Sequence, residues 1–427
     1  MNYKKSLSIY LGLFSLFLGF SQDIQYAKEV VKTLASNEFK GRGYVEQGDK
    51  IAAEYIQSEF KNIGLKPFKK SYFQKFTTSV NTFPSTMSLS LDGVNKIAGA
   101  DYLIEAGSPG IHGTFKTVML NIDAMFDEQK LASTLNNSAG KFLVIPNYSK
   151  KEYSKEQQTK ISDIISFIKY HPGNPASGSI ILTNDKLTWG GSTSLYAKPS
   201  FTVINDSTKK DIEKITIDVK NKFIKKYQSQ NVIGFIEGKN KDSLVVLVAH
   251  YDHLGMMGSK TIFPGANDNA SGIAMLLNLA TYYKINKPNY TTVFMAFGGE
   301  ELGLLGAKHF VENPLFKLKK IKFLVNFDIS GTGDDGIQVV NGSVYKDQFN
   351  NLSQINAEQS LLKQVKIRGA ACNSDHCMFH MKKVPCFFIY TLGGIKAYHD
   401  IYDKAETLPL TEFEDYFTLL TQFINTL

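Results

Sequence analysis

Three apolar segments in the second half of the chain each end in a turn that carries histidine or carboxylate side chains. They run from Val245 to Ala249, from Thr291 to Phe297 and from Ile321 to Phe327. Short runs of this kind, rich in β-branched residues, are typical of buried strands in a parallel sheet. In open α/β sheets the functional loops gather at the carboxyl ends of such strands. The pattern therefore predicts an α/β fold with its site where these strands end.

The first of these turns contains His250 and Asp252. A strand period of two places both side chains on the same side, so one can bind a metal while the other sets the tautomer of the imidazole. A turn histidine beside a solvated aspartate is the alternative.

The next turns add carboxylates. Asp268 lies in GANDNASG, whose small residues let the backbone approach an ion, and an apolar helical stretch from Ile273 to Tyr283 follows. Glu300 and Glu301 follow two glycines, and we expect them at the start of a helix. Adjacent carboxylates suggest that one coordinates a metal while the other takes a proton from water. Helix caps and first-turn acidic residues are the ordinary alternatives.

Two further candidates complete the set. Asp328 ends the third apolar segment, and AYHDIYDKAETL supplies His399 with Asp403 four residues later. Nitrogen and oxygen donors without cysteine are typical of zinc pairs in hydrolases rather than of structural zinc. The predicted metal ligands are His250, Asp268, Glu301, Asp328 and His399.

The ordered motifs resemble the co-catalytic zinc aminopeptidase family, which also contains glutamate carboxypeptidase and glutaminyl cyclase relatives. The opening LASNEFKGRGY and the following AAEYIQSEFKNIGLKP are similar to the segment that precedes the core in bacterial members. The resemblance implies a zinc exopeptidase fold, with a mostly parallel mixed sheet flanked by helices.

The resemblance also implies two zinc ions and a role for each site residue. Asp268 would bridge the ions, Glu300 would be the general base, and Asp252 would support the first histidine. One ion would be held by His250, Asp268 and Asp328, and the other by Asp268, Glu301 and His399.

The implied activity is that of an aminopeptidase, because in this family the free α-amino group of a peptide docks near the second zinc. Dipeptidase or carboxypeptidase specificity would depend on pocket residues that spacing does not identify. Glutaminyl cyclases share the scaffold but use one zinc, and a binding protein that has lost its metal chemistry usually lacks ligands or the base. The complete ligand set argues against both.

Other polar residues near these motifs have no assigned role. Ser374, Asp375 and His376 resemble a segment that precedes the last core strand in many relatives, here Val384 to Tyr390. A substrate contact, an oxyanion contact or a structural role for His376 all stay open. His253 is expected to do no more than line the site.

The chain length of 427 residues predicts a core plus an accessory domain. The core motifs occupy residues 23–76 and resume in 226–427, so 77–225 is predicted to be an inserted, smaller, β-rich α+β domain. Its pieces AGKFLVIPN and GSIILTND resemble the protease-associated domain, and Lys151 to Tyr170 is expected to form a long polar helix. Such an insert would either shape substrate access or only stabilise the protein.

Residues 1–22 have the layout of a cleaved secretory signal: Lys4 and Lys5, then an apolar stretch from Leu7 to Phe20. That stretch is shorter than the roughly 20 residues needed to span a bilayer. We therefore expect an exported protein, periplasmic or secreted, without stable membrane insertion after cleavage.

The distribution of charge argues against a nucleic-acid partner. The net charge of +8 falls to +6 without Lys4 and Lys5, and the lysines are mixed with acidic residues, so no nucleic-acid partner is expected. The partner implied by the resemblance is a peptide with a free N-terminus, and the oligomeric state is left open.

Three cysteines in an exported chain leave at least one unpaired, and a bridge from Cys372 to Cys377 is one available pairing.

Overall fold

The computed structural model describes residues 23–206 and 211–427, so the predicted signal segment 1–22 lies outside the described residues. The helices are α1 (Ile24–Leu34), α2 (Gly48–Ile63), α3 (Glu128–Asn137), α4 (Lys155–Tyr170), α5 (Ser271–Ile285), α6 (Leu305–Glu312), α7 (Lys346–Gln359), α8 (His376–His380) and α9 (Phe413–Thr426). The strands are β1 (Phe73–Thr82), β2 (Ser88–Leu91), β3 (Val94–Lys96), β4 (Tyr102–Ile104), β5 (Ile111–Met119), β6 (Phe142–Ile145), β7 (Gly178–Thr183), β8 (Ser200–Ile204), β9 (Lys214–Val219), β10 (Lys222–Ile236), β11 (Asn240–His250), β12 (Gly255–Met257), β13 (Thr261–Phe263), β14 (Tyr290–Phe297), β15 (Ile321–Phe327), β16 (Ile337–Val340), β17 (Val365–Ile367) and β18 (Cys386–Thr391).

The core sheet has the strand order β1-β10-β14-β11-β15-β18-β16-β17. β11 pairs in parallel with β14 and β15, and β15 pairs in parallel with β18. Antiparallel pairings join β1, β10 and β14 on one side and β18 and β16 on the other. The three apolar segments of the sequence are therefore neighbouring strands in the middle of a mixed sheet, and the predicted fold class is confirmed.

The sheet is covered on both faces, which explains why β11 is apolar without alternation from Leu244 to Ala249. Val245, Leu247 and Ala249 of β11 pack in a cluster with residues of α1, α2, α5 and α9. Val246 and Val248, which point the other way, pack with residues of α6 and α8. Helix α5 is apolar and almost entirely buried against the first face.

A second sheet, with the order β3-β2-β9-β5-β6-β7-β8-β4, is built from residues between Ser88 and Val219. The two pieces that resemble a protease-associated domain form its neighbouring parallel strands β6 and β7. The predicted domain boundaries stay a prediction. Residues 77 and 225 lie inside β1 and β10, which run on without a break at these positions.

Helix α4 begins at Lys155, so the predicted start at Lys151 was wrong. Ser154 caps the helix: its hydroxyl accepts the N–H of Gln157, and the Gln157 side chain accepts the N–H of Ser154. This reciprocal pair satisfies free donors at the first turn and sets the boundary there.

Among the helices of the described residues, we find none with the length and apolar character needed to cross a membrane.

Candidate metal centre

His250 is the last residue of β11 and is 1% exposed. Its Nδ1 lies 3.1 Å from the main-chain oxygen of Asp252. An imidazole that donates Nδ1–H to a carbonyl keeps the lone pair of Nε2 free for a metal. Burial is the largest single influence and would lower the pKa of His250, but the charges of Asp328 and Glu300, together with the contacts to Asp268 and Asp328, hold that pKa well above its ordinary value.

The first group of donors surrounds His250 Nε2. Asp268 Oδ1 lies 3.3 Å and Asp328 Oδ1 lies 3.4 Å from that nitrogen. Two ligands on a tetrahedral zinc with bonds of about 2 Å would lie roughly 3.3 Å apart. Asp328 Oδ1 is buried and has no hydrogen-bond partner. The spacing and this unsatisfied acceptor both fit a cation at this point.

The second group shares Asp268 with the first. Asp268 Oδ2 lies 3.1 Å from His399 Nε2, and Glu301 Oε2 lies 3.3 Å from the same nitrogen. The two oxygens of Asp268 therefore face two different histidines, which is the arrangement that a bridging carboxylate needs. All five residues predicted as metal ligands are brought together in this centre.

His253 is also in the centre, although the sequence predicted only a lining role. Its Nδ1 lies 2.8 Å from Glu301 Oε1 and 4.0 Å from Asp268 Oδ2, and its buried Nε2 has no partner. The ligand atoms of His253, Asp268 and Glu301 all lie within 4.8 Å of one another. Its position three residues after His250, in the same turn, was the available signal.

The predicted position of Glu300 and Glu301 at the start of a helix was wrong, because α6 begins only at Leu305. The Glu300 carbonyl accepts the N–H groups of Gly303 and Leu304, at 2.8 and 2.9 Å, which closes a tight turn. Leu304 has a left-handed φ of 61° and separates this turn from the helix. The two glutamates therefore lie in a rigid turn at the end of β14.

The Asp252 carboxylate holds that turn in place. It accepts the N–H groups of Glu300 at 3.0 Å and Glu301 at 3.3 Å, and the hydroxyl of Tyr44 lies 3.3 Å away. Its distance to His250 Nδ1 is 3.9 Å, longer than a hydrogen bond. Support of the histidine by this carboxylate stays a prediction, and the contacts present orient the glutamate turn instead. Burial raises the pKa of Asp252 to about 6.

Glu300 is half-buried beside the donor groups. Burial raises its pKa well above the usual range, and Glu301, Asp375 and Asp328 raise it further, while His250 opposes them. A carboxylate whose pKa is raised binds a proton more tightly, which is the property that a general base needs.

The loop that carries Asp268 is fixed from two sides. The Asp403 carboxylate accepts the N–H groups of Asn267 at 2.8 Å and Asp268 at 2.9 Å. Asp403 belongs to the same loop as His399, so the loops that carry Asp268 and His399 are tied together. Burial raises the pKa of Asp403 to about 6.

Arg42 is the second support, and sequence reasoning gave it no role. Its guanidinium is fully buried and donates only to main-chain oxygens. The acceptors are Tyr251, Leu34, Pro264, Gly265 and Asp268, at 2.8, 2.9, 2.7, 2.6 and 3.2 Å. Arg42 thus joins the turn after β11 to the loop before α5. A single arginine after a glycine gave no sign of this burial.

The segment Ser374 to His376 lies against the first group. Ser374 accepts Asn326 Nδ2 at 2.8 Å, and its hydroxyl lies 3.4 Å from Asp328 Oδ2. His376 Nε2 bonds the carbonyl of Ala371 at 2.9 Å, and burial lowers its pKa to about 4. A neutral imidazole bound to main chain supports a structural role for His376.

The bridge between Cys372 and Cys377 closes this segment into a small loop, with 4.9 Å between the Cα atoms. Cys386 is the unpaired cysteine, as the odd count required, and it is buried in β18.

Comparison with known proteins gives the same family as the motifs. Residues 231–424 match Peptidase family M28. The aminopeptidase YwaD of Bacillus subtilis (strain 168) is 28% identical over 307 residues, which are 68% of this chain and 62% of that protein. The matched region thus spans less than two thirds of that relative. The resemblance drawn from the sequence motifs is confirmed.

Two solved structures share the fold over nearly the whole chain. The zinc aminopeptidase BSAP from Bacillus subtilis superimposes with a TM-score of 0.68 and 20% identity, covering 94% of each chain. An aminopeptidase from Aneurinibacillus sp. strain AM-1 gives a TM-score of 0.62 and 19% identity, covering 95% of this chain and 93% of the other. At these identities the likeness establishes the architecture.

Proposed function

We propose that this chain, which belongs to peptidase family M28 over residues 231–424, is a zinc aminopeptidase that uses two metal ions. The observation that carries the proposal is the division of Asp268 between two histidines. One of its oxygens lies 3.3 Å from His250 Nε2 and the other 3.1 Å from His399 Nε2. Pairs of ions a few ångströms apart are typical of aminopeptidases.

The donor chemistry supports zinc. Imidazole nitrogens and carboxylate oxygens are ligands of catalytic zinc, and the Bacillus protein of the same fold is a zinc aminopeptidase. His250, Asp268 and Asp328 would hold one ion, and Asp268, Glu301 and His399 the other. When bound, the ions supply Lewis acidity that polarises the scissile carbonyl and activates water.

Glu300 is the proposed general base. Asp252 fixes its main chain, and its carboxylate takes a proton from the attacking water and returns it to the leaving amine. The neighbouring Glu301 is occupied by His253 and His399, so the two glutamates divide the work.

The proposed substrate is a peptide with a free amino terminus. The Bacillus subtilis relative that is 28% identical over 307 residues is an aminopeptidase, and a zinc aminopeptidase shares the fold over 94% of this chain. These likenesses support removal of N-terminal residues.

The test combines metal counting with a blocked substrate. The full chain is expressed with its own first 22 residues and purified with zinc; bound zinc is counted by mass spectrometry, and cleavage of matched free and N-acetylated peptides is followed. Two ions per chain and loss of cleavage on acetylation are expected. Cleavage that ignores the acetyl group would overturn the aminopeptidase assignment, and absence of bound zinc would overturn the metal centre.

Glu300→Gln separates the base from the ligands. We expect this variant to keep both ions and lose turnover by a factor of about 10²–10⁴, since general base catalysis supplies effects of that size. The matched control is Glu312→Gln, an exposed glutamate on α6, which should keep full activity. Retained turnover in metal-loaded Glu300→Gln would contradict the assignment.

We also propose that the protein is exported. The disulfide between Cys372 and Cys377 supports this proposal, because such bridges persist in oxidising compartments. Sequencing the N-terminus of protein recovered from the periplasm or medium tests it. A start near Asp23 is expected, whereas retention of Met1 in the cytoplasm would contradict export.

A further inference from the structure

The connection between β7 and β8 reaches from the second sheet into the metal centre. We refer to residues 184–194 as the connecting segment. Trp189, in its middle, exchanges two hydrogen bonds with His399: His399 Nδ1 lies 3.0 Å from the Trp189 carbonyl, and the Trp189 N–H donates to the His399 carbonyl at 2.9 Å.

The bond to His399 Nδ1 determines which ring nitrogen of His399 faces the centre. Because Nδ1 donates to the Trp189 carbonyl, the lone pair of Nε2 points at Asp268 and Glu301. His399 also has a left-handed φ of 53°, which is unfavourable for a residue with a side chain and persists only where neighbours enforce it.

Lys186 bonds the main chain just before this histidine and the side chain just after it. Its ammonium donates to the carbonyls of Lys396 at 2.7 Å and Tyr398 at 3.0 Å. It also forms an ion pair of 2.6 Å with Asp400, whose side chain is only 4% exposed. Lys186 of the connecting segment therefore makes three contacts with the loop that carries His399.

Trp189 is itself anchored. Its ring stacks on Phe263 with 4.8 Å between centroids, and its Nε1 donates to the carbonyl of Ile104 at 2.7 Å. Phe263 ends β13, two residues before the loop that carries Asp268. Leu254 and Met257, from the turn after His250, are buried in the same apolar cluster as residues of the second sheet. The second sheet and the metal loops thus share a packed core.

We infer that the connecting segment is a positioning element for the second metal group, with Lys186 and the main chain of Trp189 as its positioning groups. The inference rests on the proposed function, since it concerns the affinity of the second ion. His250 and Asp328, by contrast, follow directly on strands of the core sheet. Weakening the connecting segment should therefore loosen the second ion and leave the first in place.

The test uses Lys186→Met, which keeps most of the side-chain length and removes the three contacts. Lys186 is 41% exposed, so the variant should fold. The control is Lys66→Met, which breaks an exposed ion pair of 3.2 Å with Glu237 near the opposite end of the core sheet. Each protein is loaded with zinc and dialysed against graded chelator, and the ions retained are counted; circular dichroism checks the fold.

In Lys186→Met, the second ion should be lost at a free zinc concentration about 10–100 times higher than in the parent, the usual effect of removing a support behind a ligand. The first ion should follow the parent curve, and Lys66→Met should follow both. Equal weakening of both ions, or of neither, would overturn the inference while the two-ion parent still stands. A parent that never retains a second ion would overturn the proposed function as well.

Discussion

The two halves of the proposed metal centre are built in different ways. In the first group, His250 ends β11 and Asp328 directly follows β15, and these strands pair in parallel in the middle of the core sheet. In the second group, Glu301 lies in a turn and His399 in a loop that is tied to residues 184–194. Sheet pairing thus determines one half, whereas contacts between distant loops determine the other.

This difference predicts which of the two ions should be held more firmly when other parts of the protein are changed. Buried central strands are among the last parts of a protein to open, whereas loops open at low free-energy cost. The first ion should therefore tolerate changes outside the core, and the second should depend on residues far from it in sequence.

The largest effect is expected from a change to Asp268, because this residue belongs to both groups of donors. Asp268→Ala removes the residue that both groups share, so both ions should be lost and turnover should fall by more than about 10³-fold. Metal counting and peptide cleavage measure this. Retention of one tightly bound ion would mean that the groups are more independent than the two contacts of Asp268 indicate.

Removing one ligand from each half sharpens the comparison. Asp328→Ala should release the first ion and Glu301→Ala the second, each leaving about one ion per chain, with turnover reduced roughly 10²–10³-fold. Cobalt-loaded protein would report each loss in its visible absorption spectrum. The same residual spectrum for both variants would contradict the division into two groups.

A smaller effect is expected from the link between the loops. Asp403→Asn replaces one of the two acceptors of the N–H groups of Asn267 and Asp268 by an amide. Zinc affinity should fall about 10–100-fold, with the second ion lost first because His399 belongs to the Asp403 loop. Zinc titration measures it, with the exposed Asp415→Asn on α9 as control. Loss of the first ion before the second in this variant would argue against the greater weakness of the second half.

The smallest effect on the centre is expected from Asp49, a buried residue in the first turn of α2. Ser229 donates to it at 2.9 Å and Tyr227 also bonds it, yet burial raises its pKa from 3.8 to about 7. The folded state thus holds this proton more tightly than the unfolded state, so stability is lost as pH rises from about 4 to about 7.

Asp49→Asn should remove that loss. Relative to the parent, its free energy of unfolding should rise by at most about 3 kcal/mol between pH 5 and pH 8, since about two pKa units separate pH 5 from the folded-state pKa and each corresponds to about 1.4 kcal/mol. Denaturant midpoints at pH 5 and pH 8 measure this, and the zinc count should stay the same. A constant difference between variant and parent at both pH values would show that Asp49 does not titrate as described.

The order of the motifs allowed much of the fold to be predicted. The central strands lack a regular alternation of apolar and polar residues because both of their faces are covered. Their role could therefore be predicted from the sequence for Val245 to Ala249, Thr291 to Phe297 and Ile321 to Phe327. The starts of helices α4 and α6 were predicted wrongly. The capping pair of Ser154 and Gln157 sets the start of α4, and the left-handed conformation of Leu304 sets the start of α6.

Chemical type and spacing in the sequence determined which residues are proposed as metal ligands. His250, Asp268, Glu301, Asp328 and His399 could be chosen because strand ends converge and ligand types are few. Only the tertiary structure decided how they are held. Arg42, His253 and Trp189 act through main-chain bonds or buried contacts with residues far away in the chain. Such contacts depend on which surfaces meet, and a residue's type does not encode the identity of its distant neighbour.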